Sequence, residues 1–177
     1  MRDGNIILTG GSGFGKTTFL LKILSPFRND CGGYVTQRLI KSGRTQGFCI
    51  KPFAEALTSE IEYAPGIASI FLKKSDDGWE RNDDVFLTMS LSSLSNIEDK
   101  KLIVMDEIGG FELIYPEFRR RIREITEGDI PWVAVLKGRE NLEAMCRELA
   151  LPPEYKNIRE EFEKWLTESF GSSLVCL

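Results

Sequence analysis

Residues 10–19 read GGSGFGKTTF, a run of glycines followed at once by a lysine and two threonines. From Gly10 to Thr17 they fit the pattern G-x-x-x-x-G-K-[ST] of a phosphate-binding loop. Each residue type has a task in such a loop. Glycine lets backbone N–H groups converge on an anion with no side chain in the way. The lysine reaches the β- and γ-phosphates of a nucleotide, and the hydroxyl after it ligates Mg2+. Gly10, Gly11, Ser12, Gly13, Phe14, Gly15, Lys16, Thr17 and Thr18 are therefore the candidate nucleotide-binding residues. Thr17 is also a candidate metal ligand, and Lys16 a candidate catalytic cation.

A bound triphosphate needs a metal and a reacting partner. The stretch KLIVMDE ends an apolar run in Asp106 and Glu107. Asp106 is placed to hold Mg2+, and Glu107 to orient or deprotonate an attacking water. The chain has no histidine, so a histidine base is excluded, which makes the Asp106-Glu107 pair matter. Charge developing on a γ-phosphoryl group also calls for cations. Arg38 and Arg44 flank the turn KSGR, and Arg119 and Arg120 open a basic run soon after Asp106-Glu107. A solvated hairpin or helix face would use the same arginines in local ion pairs. Glu112 suits either metal-bound water or its own loop. Lys137 ends a strand where a phosphate sensor would sit, though an ordinary strand-end lysine is the better reading, and Trp79 would stack on a base or cover an apolar patch.

These residues need a scaffold. NIILT before the loop reads as a short buried strand, and KTTFLLKIL after it as a helix ended by Ser25-Pro26. GGYVTQRLI and TQGFCIKPF are β-rich runs around KSGR, a hairpin pattern. IASIFLKK and WVAVLK are further strands, and KLIVMDE is a strand with acids at its carboxyl end. SDDGWERND is polar and rich in turn formers, a surface loop that could serve as a lid. VFLTMSLSSLSNI, YPEFRRRIREITEG, ENLEAMCRELA and EYKNIREEFEKWLTESFG read as helices, and SLVCL as a last short strand. Strands alternating with helices imply an α/β domain with a mainly parallel sheet, to which the early hairpin is an antiparallel addition.

The 177 residues fit one domain, 1–177, large enough to bury a core without disulfide or metal staples. Apolar residues make up 42% and charged residues 28%, ordinary for a globular chain. A net charge of -4 gives no bulk attraction to nucleic acid or an anionic membrane, so neither partner is expected. No run approaches the apolar length of a membrane span, and the first strand starts too early to leave room for a signal peptide. Cys31, Cys49, Cys146 and Cys176 form no CxxC pair, which argues against a zinc site and for reduced, mostly buried thiols in the cytoplasm.

DEIGGFEL followed by PEFRRRI resembles the DEIG-x-x-EL…F segment of a family of small P-loop nucleoside-triphosphatases, also called cancer-related or nucleotide kinase-related. GGYVTQRLIKSGRTQGF is similar to that family's second segment, a strand with a G-x-R-x-G-F return. The resemblance implies the P-loop NTPase three-layer sandwich and slow, base-tolerant, Mg2+-dependent hydrolysis of nucleoside triphosphates to diphosphate and phosphate. It maps Gly10, Lys16, Thr17, Asp106 and Glu107 onto binding and catalytic positions, and it favours Arg44 over Arg38. A nucleoside or nucleotide kinase built on the same loop is the alternative enzyme, and a non-catalytic nucleotide switch the alternative of another class. Glu107 directly after Asp106 favours water as acceptor, and SDDGWERND, with Arg81 alone, is a poor match to an arginine-rich kinase lid.

Overall fold

The computed structural model describes residues 5–8, 13, 15–108 and 110–136. Its strands are β1 (Ile6–Leu8), β2 (Cys31–Lys41), β3 (Arg44–Pro52), β4 (Ile61–Glu62), β5 (Ile70–Ser75), β6 (Gly78–Arg81), β7 (Leu102–Ile108) and β8 (Trp132–Leu136). The helices are α1 (Lys16–Ile23), α2 (Asp83–Ser93) and α3 (Pro116–Glu127). Lys137, Cys146, Cys176, the last two helices and the last strand of the sequence reading lie outside the described residues.

The strands form one sheet in the order β1-β8-β7-β2-β3-β5-β6, with β4 beside β2. β1, β8, β7, β2 and β4 pair in parallel. β2, β3, β5 and β6 pair antiparallel. The sheet is therefore mixed, where the sequence pattern suggested a mainly parallel one. The difference arises in the outer half, where β2 and β3, and β5 and β6, are joined by tight turns that need no helical crossover. The stretch SDDGWERND supplies β6 and is not wholly a loop. An edge strand with an exposed face carries the polar residues that otherwise mark a loop.

Period-two alternation explains the two cores. In β1, β7 and β8, Ile7, Ile103, Met105 and Ala134 face one apolar cluster, while Ile6, Leu8, Val104, Val133 and Val135 face the other. The first cluster takes Phe86 of α2 and Phe118, Ile122 and Ile125 of α3. Those three α3 residues lie on one face of the helix, and burying each contributes roughly 1.5–3 kcal/mol. The second cluster takes Leu20 and Leu21 of α1. Helices thus cover both faces of the sheet.

Local signals set the helix ends. Pro116 occupies the first turn of α3 and Gly128 its C-cap. α2 begins before the apolar run, at Asn82, whose side chain accepts from the Val85 N–H at 3.1 Å. The Arg121 guanidinium donates to the Leu94 carbonyl at the end of α2, at 2.6 and 3.0 Å, and so ties α3 to α2. One glycine governs how β2 meets β7. Gly33 has φ +94°, and a Cβ there would stand 2.0 Å from the Val104 carbonyl oxygen, so only glycine fits.

Candidate active site

Gly13 and Gly15 of the phosphate-loop motif stand just before α1. Gly13 and Gly15 have φ of +84° and +78°, left-handed conformations that glycine adopts without strain. Gly15 is the N-cap of α1, and it brings no side-chain hydrogen bond to the first turn. No acidic residue stands in that turn. The positive end of the helix is thus left to a ligand anion. Gly13, Gly15, Lys16, Thr17 and Thr18 line a cleft of about 380 Å³. Gly10, Gly11, Ser12 and Phe14 lie outside the described residues.

β7 carries the two acids to the same place. Asp106 has 0% exposure. Its Oδ2 accepts the Thr36 N–H at 3.4 Å. Its Oδ1 has no donor at hydrogen-bonding geometry among the described residues. Burial, and after it the charge of Glu107, push the carboxyl up to about 7. The Thr17 hydroxyl, the Thr36 N–H and the Lys16 ammonium pull the other way. A buried carboxylate with an oxygen unmatched and a hydroxyl beside it fits a hard divalent cation. No cluster of three acids, histidines or cysteines able to hold a metal occurs among the described residues. Protein ligation would rest on Asp106 and Thr17, with phosphate oxygens and water completing the shell, the habit of Mg2+.

Glu107 is half-buried and lines the cleft. Its backbone carbonyl accepts from the Tyr34 hydroxyl at 3.3 Å. Tyr34 is fully buried. Burial first, then the charges of Glu112, Asp106 and Glu107, drive its pKa well up, so it stays a neutral donor. Glu112 is buried in the 3₁₀ turn Gly110–Ile114.

The opposite wall comes from β2, Phe48 of β3 and residues 57–60. Gln37 grips this segment through both ends of its amide: it donates to the Leu57 carbonyl at 2.6 Å and accepts the Leu57 N–H at 3.0 Å. Thr36, Arg38, Ile40 and Phe48 complete the lining on this side. Trp79 packs against Phe48 with ring centroids 5.9 Å apart.

The cleft thus gathers Lys16, Thr17 and Glu107, with Asp106 directly beneath. It does not gather Arg44 or Arg119. Arg44 pairs with Lys41 at the exposed turn end of β3. Arg119 sits in the first turns of α3, outside the cleft lining. Arg38 lines the cleft instead. Residues 57–60 carry no motif; Thr36 and Gln37 lie in the stretch GGYVTQRLIKSGRTQGF that resembles the family's second segment, and the alternation along β2 marks Thr36, Arg38 and Ile40 as sharing a face.

The model of a family described as NTPase matches residues 5–159 of the chain. The nucleoside-triphosphatase THEP1 of Methanosarcina acetivorans is 30% identical over 135 residues, 74% of this chain and 74% of that protein. The nucleoside-triphosphatase THEP1 of Thermotoga petrophila is 30% identical over 139 residues, 75% of this chain and 71% of its own. The crystal structure of THEP1 from the hyperthermophile Aquifex aeolicus superposes with a TM-score of 0.64 at 24% identity, covering 97% of this chain and 99% of that one. The solution structure of a human cancer-related nucleoside triphosphatase superposes with a TM-score of 0.60 at 22% identity, covering 94% and 95%. These two structures bear on the fold.

Proposed function

This chain belongs to the NTPase family and is a nucleoside-triphosphatase, and from that premise we propose that it hydrolyses triphosphates of several bases slowly, with Mg2+, in the cleft between α1 and β7. The observation that carries the reading is the buried Asp106 carboxylate beside Thr17, one oxygen of which has no donor at hydrogen-bonding geometry among the described residues, at the mouth of a glycine-flanked helix start. Asp106 and Thr17 would hold the metal, which when bound supplies positive charge to the phosphate oxygens.

The chain's own groups divide the remaining work. The start of α1 and Lys16 hold the phosphates and stay with them as charge builds. Glu107 takes the proton of a water whose oxygen bonds to the γ-phosphorus. The bond from that phosphorus to the bridging oxygen breaks, and diphosphate and phosphate leave. Carboxylates are ordinarily weak bases at neutral pH, in keeping with slow turnover. The buried free thiols of Cys31 and Cys49 suit a reducing cytoplasm. No described helix is long and apolar enough to cross a membrane.

The test is product analysis with each common triphosphate, in Mg2+ and in chelator, with and without nucleosides and monophosphates. Phosphate release from every triphosphate, lost in chelator, is the expected result. Transfer to an added acceptor would replace this reading with a kinase; no turnover under any condition would leave a nucleotide-binding switch.

A further inference from the structure

The structure assigns the cation that meets the γ-phosphoryl group, beside Lys16, to Arg38; this rests on the triphosphatase reading. Three observations lead to it. The first is register. β2 runs parallel to β7 with Tyr34 opposite Met105 as the last pair, and beyond that point β2 carries Thr36 and then Arg38 along the cleft that Glu107 also lines. The Thr36 N–H bond to Asp106 pins β2 at this point. In a loop of this kind Lys16 marks the β- and γ-phosphates and Glu107 the attacking side, so Arg38 stands on the γ side.

The second is charge. Among the described residues lining the cleft, Lys16 and Arg38 are the cations, and Glu60 and Glu107 are the acids, with Asp106 buried below. A triphosphate with one divalent ion keeps net negative charge, and further negative charge gathers on the oxygens around the γ-phosphorus as water attacks. Lys16 alone leaves that excess uncompensated. The third is availability. Arg38 is exposed and engages no carboxylate among the described residues. It does not have to break an ion pair to turn onto a ligand. By contrast, Arg121 is committed to Leu94 and Glu124. The neighbouring Gln37 grip on Leu57 holds the strand still beneath the moving guanidinium.

The experiment compares wild type with Arg38→Ala and Arg38→Lys. Turnover is measured beside affinity for the diphosphate alone and for the diphosphate with fluoroaluminate, which mimics the transferring phosphoryl group. In Arg38→Ala, kcat should fall by about 10²-fold, the scale of one lost charge stabiliser. Fluoroaluminate binding should weaken with it, and diphosphate affinity should stay within about two-fold. Arg38→Lys keeps the charge without the planar fork and should fall between. Added guanidinium should restore part of the Arg38→Ala rate. Because Arg38 is exposed, the thermal midpoint should not move. Unchanged turnover and unchanged fluoroaluminate binding in Arg38→Ala overturn the assignment. So does a loss of diphosphate affinity as large as the loss of rate. If wild type releases no phosphate, the hydrolysis reading fails, and the fluoroaluminate comparison still decides Arg38.

Discussion

Asp106 titrates in a way that distinguishes metal binding from mere burial. Its folded-state pKa, about 7, lies above the ordinary value of 3.8. A group raised on folding contributes stability that is fully present below the lower value and lost as pH rises through the upper one. Without metal or nucleotide, the protein should lose stability between about pH 4 and pH 8 from this group, by a few kcal/mol at most. Asp106→Asn removes the charge and should raise the metal-free melting temperature at pH 8 while changing it little at pH 4. The same substitution should abolish the stabilisation that Mg2+ with nucleotide gives wild type at pH 8. Melting curves at both pH values, with and without Mg2+ and nucleotide, check this. A variant that melts like wild type in all of them would mean the carboxylate neither carries the burial cost nor holds the metal. Glu107→Gln should behave otherwise: nucleotide and Mg2+ still bind, and single-turnover hydrolysis falls by roughly 10²-fold. An unchanged hydrolysis rate would move proton abstraction away from Glu107.

Residues such as these are legible in a sequence when their chemistry is packed into a short stretch. Lys16 and Thr17 follow the last glycine of one loop, and Asp106 and Glu107 end one strand, so spacing alone picks them out. Arg38 and Arg44 are separated by how far β2 runs past β7 and where the hairpin turns. Both depend on a partner strand 70 residues away, as the Thr36–Asp106 bond shows; the resemblance favours Arg44 at the turn, while Arg38 is the one of the two that lines the cleft.

At the scale of elements, the long strand β2 holds the cleft together, since β7, β3 and β4 all pair with it. Its contact with β7 relies on Gly33. Gly33→Ala should cost about 3–5 kcal/mol, combining a left-handed φ with a clash against backbone that cannot move aside. Gly66→Ala is the matched control, since a Cβ there meets open space, and it should stay within about 0.5 kcal/mol. Equilibrium denaturation of the two variants measures the gap; similar costs would mean that β2 does not approach β7 as closely as the structure has it. The doubled glycine of GGYVTQRLI is visible in the sequence, but what makes the second one irreplaceable is the Val104 carbonyl. The same blindness hid β6. A polar edge strand and a polar loop have one composition, and only its pairing with β5 tells them apart.

At the scale of the whole molecule, the sheet joins a parallel half that carries the acids and an antiparallel half that builds the far wall of the cleft. Alternation of strands and helices in the sequence announces an α/β domain, but the order that inserts β8 between β1 and β7 joins strands far apart in the chain and leaves no local trace. Whether the halves unfold as one unit can be read from two thiols. Cys31 lies on β2 where it pairs with β7, and Cys49 on β3, opposite Gln37. Burial pushes the Cys31 thiol up to about 12, with Asp30 adding to the rise and Lys100 opposing it, and burial raises Cys49 as well. Thiolate is scarce at both positions at pH 8, so alkylation has to wait for the structure to open. If the halves are one cooperative domain, peptide-resolved labelling should show Cys31 and Cys49 reacting at one slow rate set by global unfolding, and Mg2+ with nucleotide should slow both by the same factor. Faster labelling of Cys49 with no response to nucleotide would mean that β3 and the strands beyond it open by themselves, and that the part of the cleft wall bearing Phe48 is not fixed to the phosphate-binding half while nucleotide is bound.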